Sequence, residues 1–118
     1  MRLYYSKGAC SLAVRIIINE IGTKCEYEAV DLKSKKTETG QDFLTINPKG
    51  AVPTLLTENN EILTEALVIQ VYLADQFKNH QLLAPLGDFK RYRTMEWLNY
   101  VATELHKGVG ILSHSIVL

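Results

Sequence analysis

Apolar residues fall in short runs separated by polar turns, and their spacing changes along the chain. Arg2-Leu3-Tyr4-Tyr5 is a compact run that predicts a first strand, followed by a turn over residues 6–9 that contains Gly8. From Ser11 to Ile21 the period lengthens, with Leu12, Ile16 or Ile17, and Ile21 on neighbouring faces. This predicts a helix stopped by Gly22. Lys24 to Val30 alternates in part through Cys25, Tyr27 and Ala29 and predicts a second strand. A helix joins these two strands, so they are expected to be parallel with a right-handed crossover. Residues 31–40 are polar and rich in Lys and Thr, a loop, and residues 41–46 make at most a short helix. Thr54 to Thr57 and Glu61 to Leu63 flank Glu58-Asn59-Asn60 and predict a hairpin. An apolar helical segment then runs from Glu65 to Gln76. Residues 77–87 hold the breaker Pro85 and read as a linker. Asp88 is placed to cap a helix that runs to about Leu105.

A βαβ unit followed by ββα is the thioredoxin-like pattern, an α/β class with a mixed four-stranded sheet and helices on both faces. The expected division is an α/β domain over residues 1–78, a linker over 79–87, and over 88–118 the first helix of an all-helical domain. In that helix Met95, Leu98, Ala102, Leu105, Val109 and Leu112 recur at three- and four-residue intervals, with Trp97 and Val101 on an adjoining strip. Both strips require a cover, which predicts exposed apolar surface, docking or self-association.

Composition narrows the classes. The 118 residues are 47% apolar, enough for a packed core rather than a disordered chain. Thirteen basic residues balance thirteen acidic ones, which disfavours nucleic acid as a partner; Lys33-Ser34-Lys35-Lys36 is a local exception. No apolar run is long enough to cross a bilayer and none reads as a secretory leader. Cys10 and Cys25 match no zinc spacing, so no metal is expected, and two thiols on different elements suit a reducing cytoplasm.

The run Asn47-Pro48-Lys49-Gly50-Ala51-Val52-Pro53-Thr54-Leu55 carries the first candidate chemistry. Pro53 lacks an N–H and suits the start of a strand, and it drives Val52 into an extended conformation. An extended Val52 outside the sheet offers its N–H and C=O to an extended peptide, as in recognition by strand addition. A cis Val52-Pro53 bond is expected at this turn. Glu65-Ala66 opens a helix whose free N–H groups suit a carboxylate. Together these pieces outline a site for a short anionic peptide. A plain loop, hairpin and capped helix account for the same spacing.

Cys10 stands at the start of the first helix, where the dipole and free N–H groups favour thiolate and predict a lowered pKa; a small buried structural cysteine is the alternative. Ser11 offers a hydroxyl to a thiolate, or simply a cap. Position 13 is Ala13, so there is no dithiol motif. Asn99 and His106 are seven residues apart and Thr103 lies between them, which on an α-helix puts all three on one face.

These stretches resemble the glutathione transferases, specifically the bacterial beta class. The opening residues 1–12 are similar to that class's N-terminus with its Gly8-Ala9-Cys10-Ser11-Leu12 turn, and residues 47–53 to its Asn-Pro-Lys-Gly-x-Val-Pro motif. Tyr72 to Gln76 and Gln81 to Pro85 resemble its third helix and linker. Arg91-Tyr92, Glu96 to Asn99 and Thr103 to Gly108 resemble its fourth helix. The resemblance spans about the first 108 residues. The family carries further C-terminal helices that do not follow here, and residues 109–118 do not look like its continuation. A frameshift product, a natural truncation and a fragment all fit that ending. Ala66 also stands where relatives often have Gly or Ser, so only its backbone N–H is left to bind a carboxylate.

The resemblance implies a glutathione S-transferase. It would conjugate glutathione to small electrophiles in detoxification, or exchange thiols through Cys10, as a cytoplasmic homodimer with no cofactor beyond its glutathione substrate. It implies that Val52 and Pro53 meet the cysteinyl backbone, Glu65 and Ala66 the γ-glutamyl end, and Lys35 the glycyl carboxylate. Cys10, Ser11 and His106 would then act at the sulfur. Asn99 and Thr103 lie nearby, and Glu104 reaches the glutathione of a partner subunit. Without the resemblance Lys35 reads as a solvated loop residue and His106 as structural. A non-catalytic glutathione-binding or interaction module is the second reading, because most walls of an electrophile pocket would come from helices beyond this sequence.

Overall fold

The computed structural model describes residues 1–110. Five strands form one mixed sheet in the order β3-β2-β1-β4-β5, with β1 Arg2–Tyr5, β2 Glu26–Asp31, β3 Lys36–Thr37, β4 Thr54–Leu56 and β5 Ile62–Thr64. β1 and β2 are parallel, with Leu3 opposite Tyr27. The β1/β4 and β4/β5 pairs are antiparallel, with Leu55 opposite both Leu3 and Leu63. The expected four-stranded sheet therefore gains a fifth strand. Lys36–Thr37, expected to be loop, folds back antiparallel onto Val30 and Asp31. Asp31 makes this turn possible by accepting the Lys33 and Ser34 N–H groups at 2.9 and 3.3 Å, an Asx turn that leaves Lys35 at φ 59°.

Successive strand residues point to opposite faces, and this alternation divides the core in two. On one face Leu3 and Leu55 meet Val14 and Ile18 of α1 (Ser11–Ile21) and Ile69 and Leu73 of α2 (Ala66–Gln76), all essentially buried. On the other, Tyr4 and Val30 pack on Phe43 from the 3-10 turn Phe43–Thr45. Each such side chain is worth roughly 1.5–3 kcal/mol of burial. α1 ends as expected, with Gly22 in the left-handed region (φ 77°) and its N–H on the Ile18 carbonyl at 3.0 Å.

α3 (Lys90–Tyr100) continues without a break through a π-wound stretch, Val101–His106. Asp88 caps it, accepting the Lys90 N–H at 2.9 Å. Of the expected apolar strips, Trp97, Val101, Leu105 and Val109 are exposed (Trp97 66% and Val109 62% accessible), whereas Met95, Leu98 and Ala102 are half-buried. Leu112 lies outside the described residues. The π stretch was not legible in the sequence. Its i+5 hydrogen bonding winds wider than an α-helix, so a seven-residue α-helical face count from Asn99 to His106 does not carry across it.

Candidate functional site

The site forms where three connections meet at one end of the strands: the β1–α1 turn, the loop before β4, and the β5–α2 junction. The loop over residues 47–54 is organised by Asn47, which is 2% exposed. Its amide donates to the Ala51 carbonyl at 2.9 Å and to Thr54 Oγ1 at 3.0 Å, and its Oδ1 accepts the Lys49 N–H at 3.1 Å. Gly50 completes the turn at φ 65°. A Cβ there would stand 3.1 Å from Leu44 Cδ2 and 3.2 Å from Lys35 Cε, so a side chain is strained by its backbone and tightly placed.

The Val52-Pro53 bond is cis, as expected, and Pro53 is buried directly before β4. Among the described residues no protein group engages the Val52 N–H, and the Val52 carbonyl takes only the Cys10 thiol, at 3.4 Å. Val52 thus stands outside the ladder with an open donor, the geometry that strand addition requires.

Cys10 departs from its sequence-based expectation. Burial pushes its thiol up; a backbone hydrogen bond pulls it down, and the nearby Glu65 carboxylate adds to the rise. The physical reason is desolvation: the half-buried sulfur loses the water that would stabilise a thiolate, and it faces the Val52 carbonyl at 3.4 Å, an acceptor and not a donor. Ser11 is 1% exposed and its hydroxyl is already engaged. It donates to the Ser6 carbonyl at 3.1 Å and accepts the Ser6 N–H at 3.3 Å, which closes the β1–α1 turn. The hydroxyl neither caps the helix nor stands free for a thiolate; it holds the turn ahead of it.

Glu65 precedes α2 at φ 74°, ψ 121°, a sparsely populated conformation for a residue with a side chain. Such strain persists where the surrounding structure holds it, and it gathers at ligand sites. The Glu65 carboxylate accepts Lys49 Nζ at 2.8 Å, and the same ammonium reaches Thr64 Oγ1 at 2.9 Å. Ala66 follows as the first residue of α2. Lys35 reaches over from the β2–β3 turn, with Nζ on the Gly50 carbonyl at 2.8 Å. Cys10 is thus tied to Val52, Lys35 to Gly50 of the same loop, and Glu65, ahead of Ala66, to Lys49 of that loop.

The α3 residues are placed differently. Asn99, Thr103, Glu104 and His106 are exposed, and the hydrogen bond among them joins Thr103 Oγ1 to the Asn99 carbonyl at 2.9 Å. Among the described residues none of them bonds Cys10, Val52, Glu65, Ala66 or Lys35. Sequence reasoning missed Asn47, Lys49 and Gly50 as organisers of the site. The Asn-Pro-x-Gly turn pattern was the available signal for Asn47 and Gly50. Nothing local announces the Lys49–Glu65 pair. Among the described residues no group of His, Cys, Asp and Glu is placed to hold a metal.

The arrangement is thus a thioredoxin-like sheet with an open extended residue, Val52, beside a helix-start cysteine, Cys10. Residues 1–75 match the family described as "Glutathione S-transferase, N-terminal domain". The chain is 51% identical over 108 residues to Glutathione S-transferase GstA of Escherichia coli O157:H7, covering 92% of this chain and 54% of that protein. A sphingomonad glutathione S-transferase solved in complex with glutathione superposes with a TM-score of 0.87 at 45% identity, covering 91% of this chain and 53% of that one. The bacterial beta class enzyme of Sphingomonas chungbukensis gives 0.87 at 44% identity, with the same coverage of 91% and 53%. The chain belongs to the glutathione S-transferase family, and it spans about half the length of the relatives it matches.

Proposed function

We propose that this chain binds glutathione in the groove between Val52 and the start of α2, and that it serves a glutathione S-transferase that joins glutathione to small electrophiles. The observation that carries the reading is the open Val52 N–H beside Cys10. The cysteinyl carbonyl of glutathione would accept that N–H, its γ-glutamyl carboxylate would meet the free N–H groups at Ala66, and its ammonium would meet the Glu65 carboxylate. Lys35 would turn from the Gly50 carbonyl to the glycyl carboxylate.

In this reading the glutathione sulfur is the nucleophile. Its proton leaves to solvent or to His106, a carbon–sulfur bond forms, and the leaving group departs with its electron pair. The raised Cys10 thiol makes it a donor to the glutathione thiolate rather than an attacking group, which favours conjugation over thiol exchange. Asn99 and Thr103 would assist His106 at the sulfur, and Glu104 would serve a partner subunit's glutathione. The exposed Trp97, Tyr100 and Val101 support a homodimer through the last helix and α2. Among the described residues no helix is long and apolar enough to cross a membrane, and a cytoplasmic detoxifying role accords with the two free thiols.

Calorimetry with glutathione, together with turnover of an activated aryl chloride, tests the reading. Saturable binding lost in Lys35→Ala and Glu65→Ala is expected. Binding that neither change affects would overturn it.

A further inference from the structure

We infer that Arg91 is a positioning residue: its clasp on Asp75 sets where the Asn99–His106 stretch of the last helix stands relative to Cys10. The inference rests on the glutathione reading above and adds to it a determinant far from the groove. Arg91 is 8% exposed. Its Nη1 and Nη2 donate to the two Asp75 carboxylate oxygens at 2.8 and 2.7 Å, a bidentate fork, and Nη1 also donates to the Ala84 carbonyl at 3.2 Å. One side chain thus ties together the end of α2, the following connection and the start of α3.

Two observations make this clasp decisive rather than one tie among many. Among the described residues no other salt bridge or side-chain hydrogen bond joins the last helix to α1, α2 or the sheet. The seam beside the clasp is also loosely filled. A cavity of about 80 Å³ lies there, lined by Ile17, Val71 and Ala74 on one side and Leu83, Thr94 and Leu98 on the other.

The geometry turns the clasp into a lever. α2 begins at the groove and ends at Asp75, and α3 runs back alongside it, since Ala74, Val71 and Gln70 face Thr94 and Leu98. Ala66 and Asp75 are nine positions apart, as are Arg91 and Tyr100, a rise of about 14 Å in each helix. Residues from about Tyr100 onward therefore stand level with the groove. A small rotation at Arg91 is largest at His106.

Two measurements on the 118-residue chain test this. Spin labels on Cys10 and on the thiol introduced by Lys107→Cys, in a Cys25→Ser background, report the distance directly. One narrow population is expected with Arg91 present, and a broadened or displaced one in Arg91→Ala, with Arg91→Lys between them. An unchanged distribution in a folded Arg91→Ala chain overturns the inference. If that variant does not fold, Asp75→Asn must displace the distribution instead, and its failure to do so is equally decisive. For the functional arm, His106→Ala is expected to weaken glutathione binding about tenfold when Arg91 is present, and less than about twofold in Arg91→Ala. Equal losses in both backgrounds would make Arg91 merely structural. A parent chain that binds no glutathione would overturn the glutathione reading, and the distance measurement would still decide the clasp.

Discussion

The sheet with α1 and α2, and the last helix, repeat apolar residues with comparable regularity yet bury them to opposite extents. Leu3, Val14, Leu55, Ile69 and Leu73 are 0% exposed, whereas Phe89, Trp97 and Val109 are 65%, 66% and 62% exposed. The periodicity is legible in both regions. It states which face of an element is apolar, not whether a neighbour covers that face. In the first region the covering elements follow within the same run of chain: α1 and α2 lie on one side of β1, and the 3-10 turn lies on the other. Along the last helix the strongest tie is polar, the Arg91–Asp75 clasp.

Mutation separates the two regions most sharply. Phe43→Ala removes the largest fully buried side chain and is expected to cost about 3–5 kcal/mol in urea denaturation. Trp97→Ala removes a larger ring from the last helix and is expected to change stability by less than about 1 kcal/mol in the monomeric chain. Comparable costs for the two would mean that the last helix is covered in solution, and a concentration dependence of the Trp97→Ala effect would identify that cover as a second copy.

Within the first region, the site loop depends on buried polar contacts rather than apolar ones. Asn47→Ala deletes two donated hydrogen bonds and one accepted bond and is expected to cost about 2–3 kcal/mol. Glutathione affinity should fall further than that loss of stability would explain, because the loop that presents Val52 loses its anchor. An Asn47→Ala chain with full affinity would show that Val52 is placed by the strand alone.

A smaller effect, of opposite sign for stability and binding, is expected at Glu65. Glu65→Gly relieves the positive φ and is expected to hold or raise stability by up to about 1 kcal/mol, while glutathione affinity falls. Loss of both together would place Glu65 among the packing residues.

The smallest effect concerns the Cys10 thiol. Its pKa is raised, so the thiolate fraction at neutral pH lies below that of a free cysteine. Its alkylation rate should climb at a higher pH than a free thiol's. Glu65→Gln removes a charge that raises the thiol and should move that climb towards lower pH. A rate that climbs at lower pH than that of free cysteine would restore the helix-dipole argument.

Much of this protein was legible before any fold was known. The strand at Arg2–Tyr5, the helix from Ser11 with its Gly22 stop, the hairpin at residues 54–64 and the apolar strips of the last helix follow from period, glycine and proline alone. These are local properties: a backbone preference and the side of an element that avoids water are set by residues a few positions apart. Tertiary structure decided what depends on partners distant in the chain. It drew Lys36–Thr37 onto the sheet edge, gave the Ser11 hydroxyl to Ser6, aimed Cys10 at the Val52 carbonyl and brought Lys49 to Glu65. The thiol is the clearest case. Its place at a helix start argues for a thiolate, but burial and the Glu65 carboxylate push the thiol up, because a charge responds to its whole surroundings and not only to the dipole of its own helix.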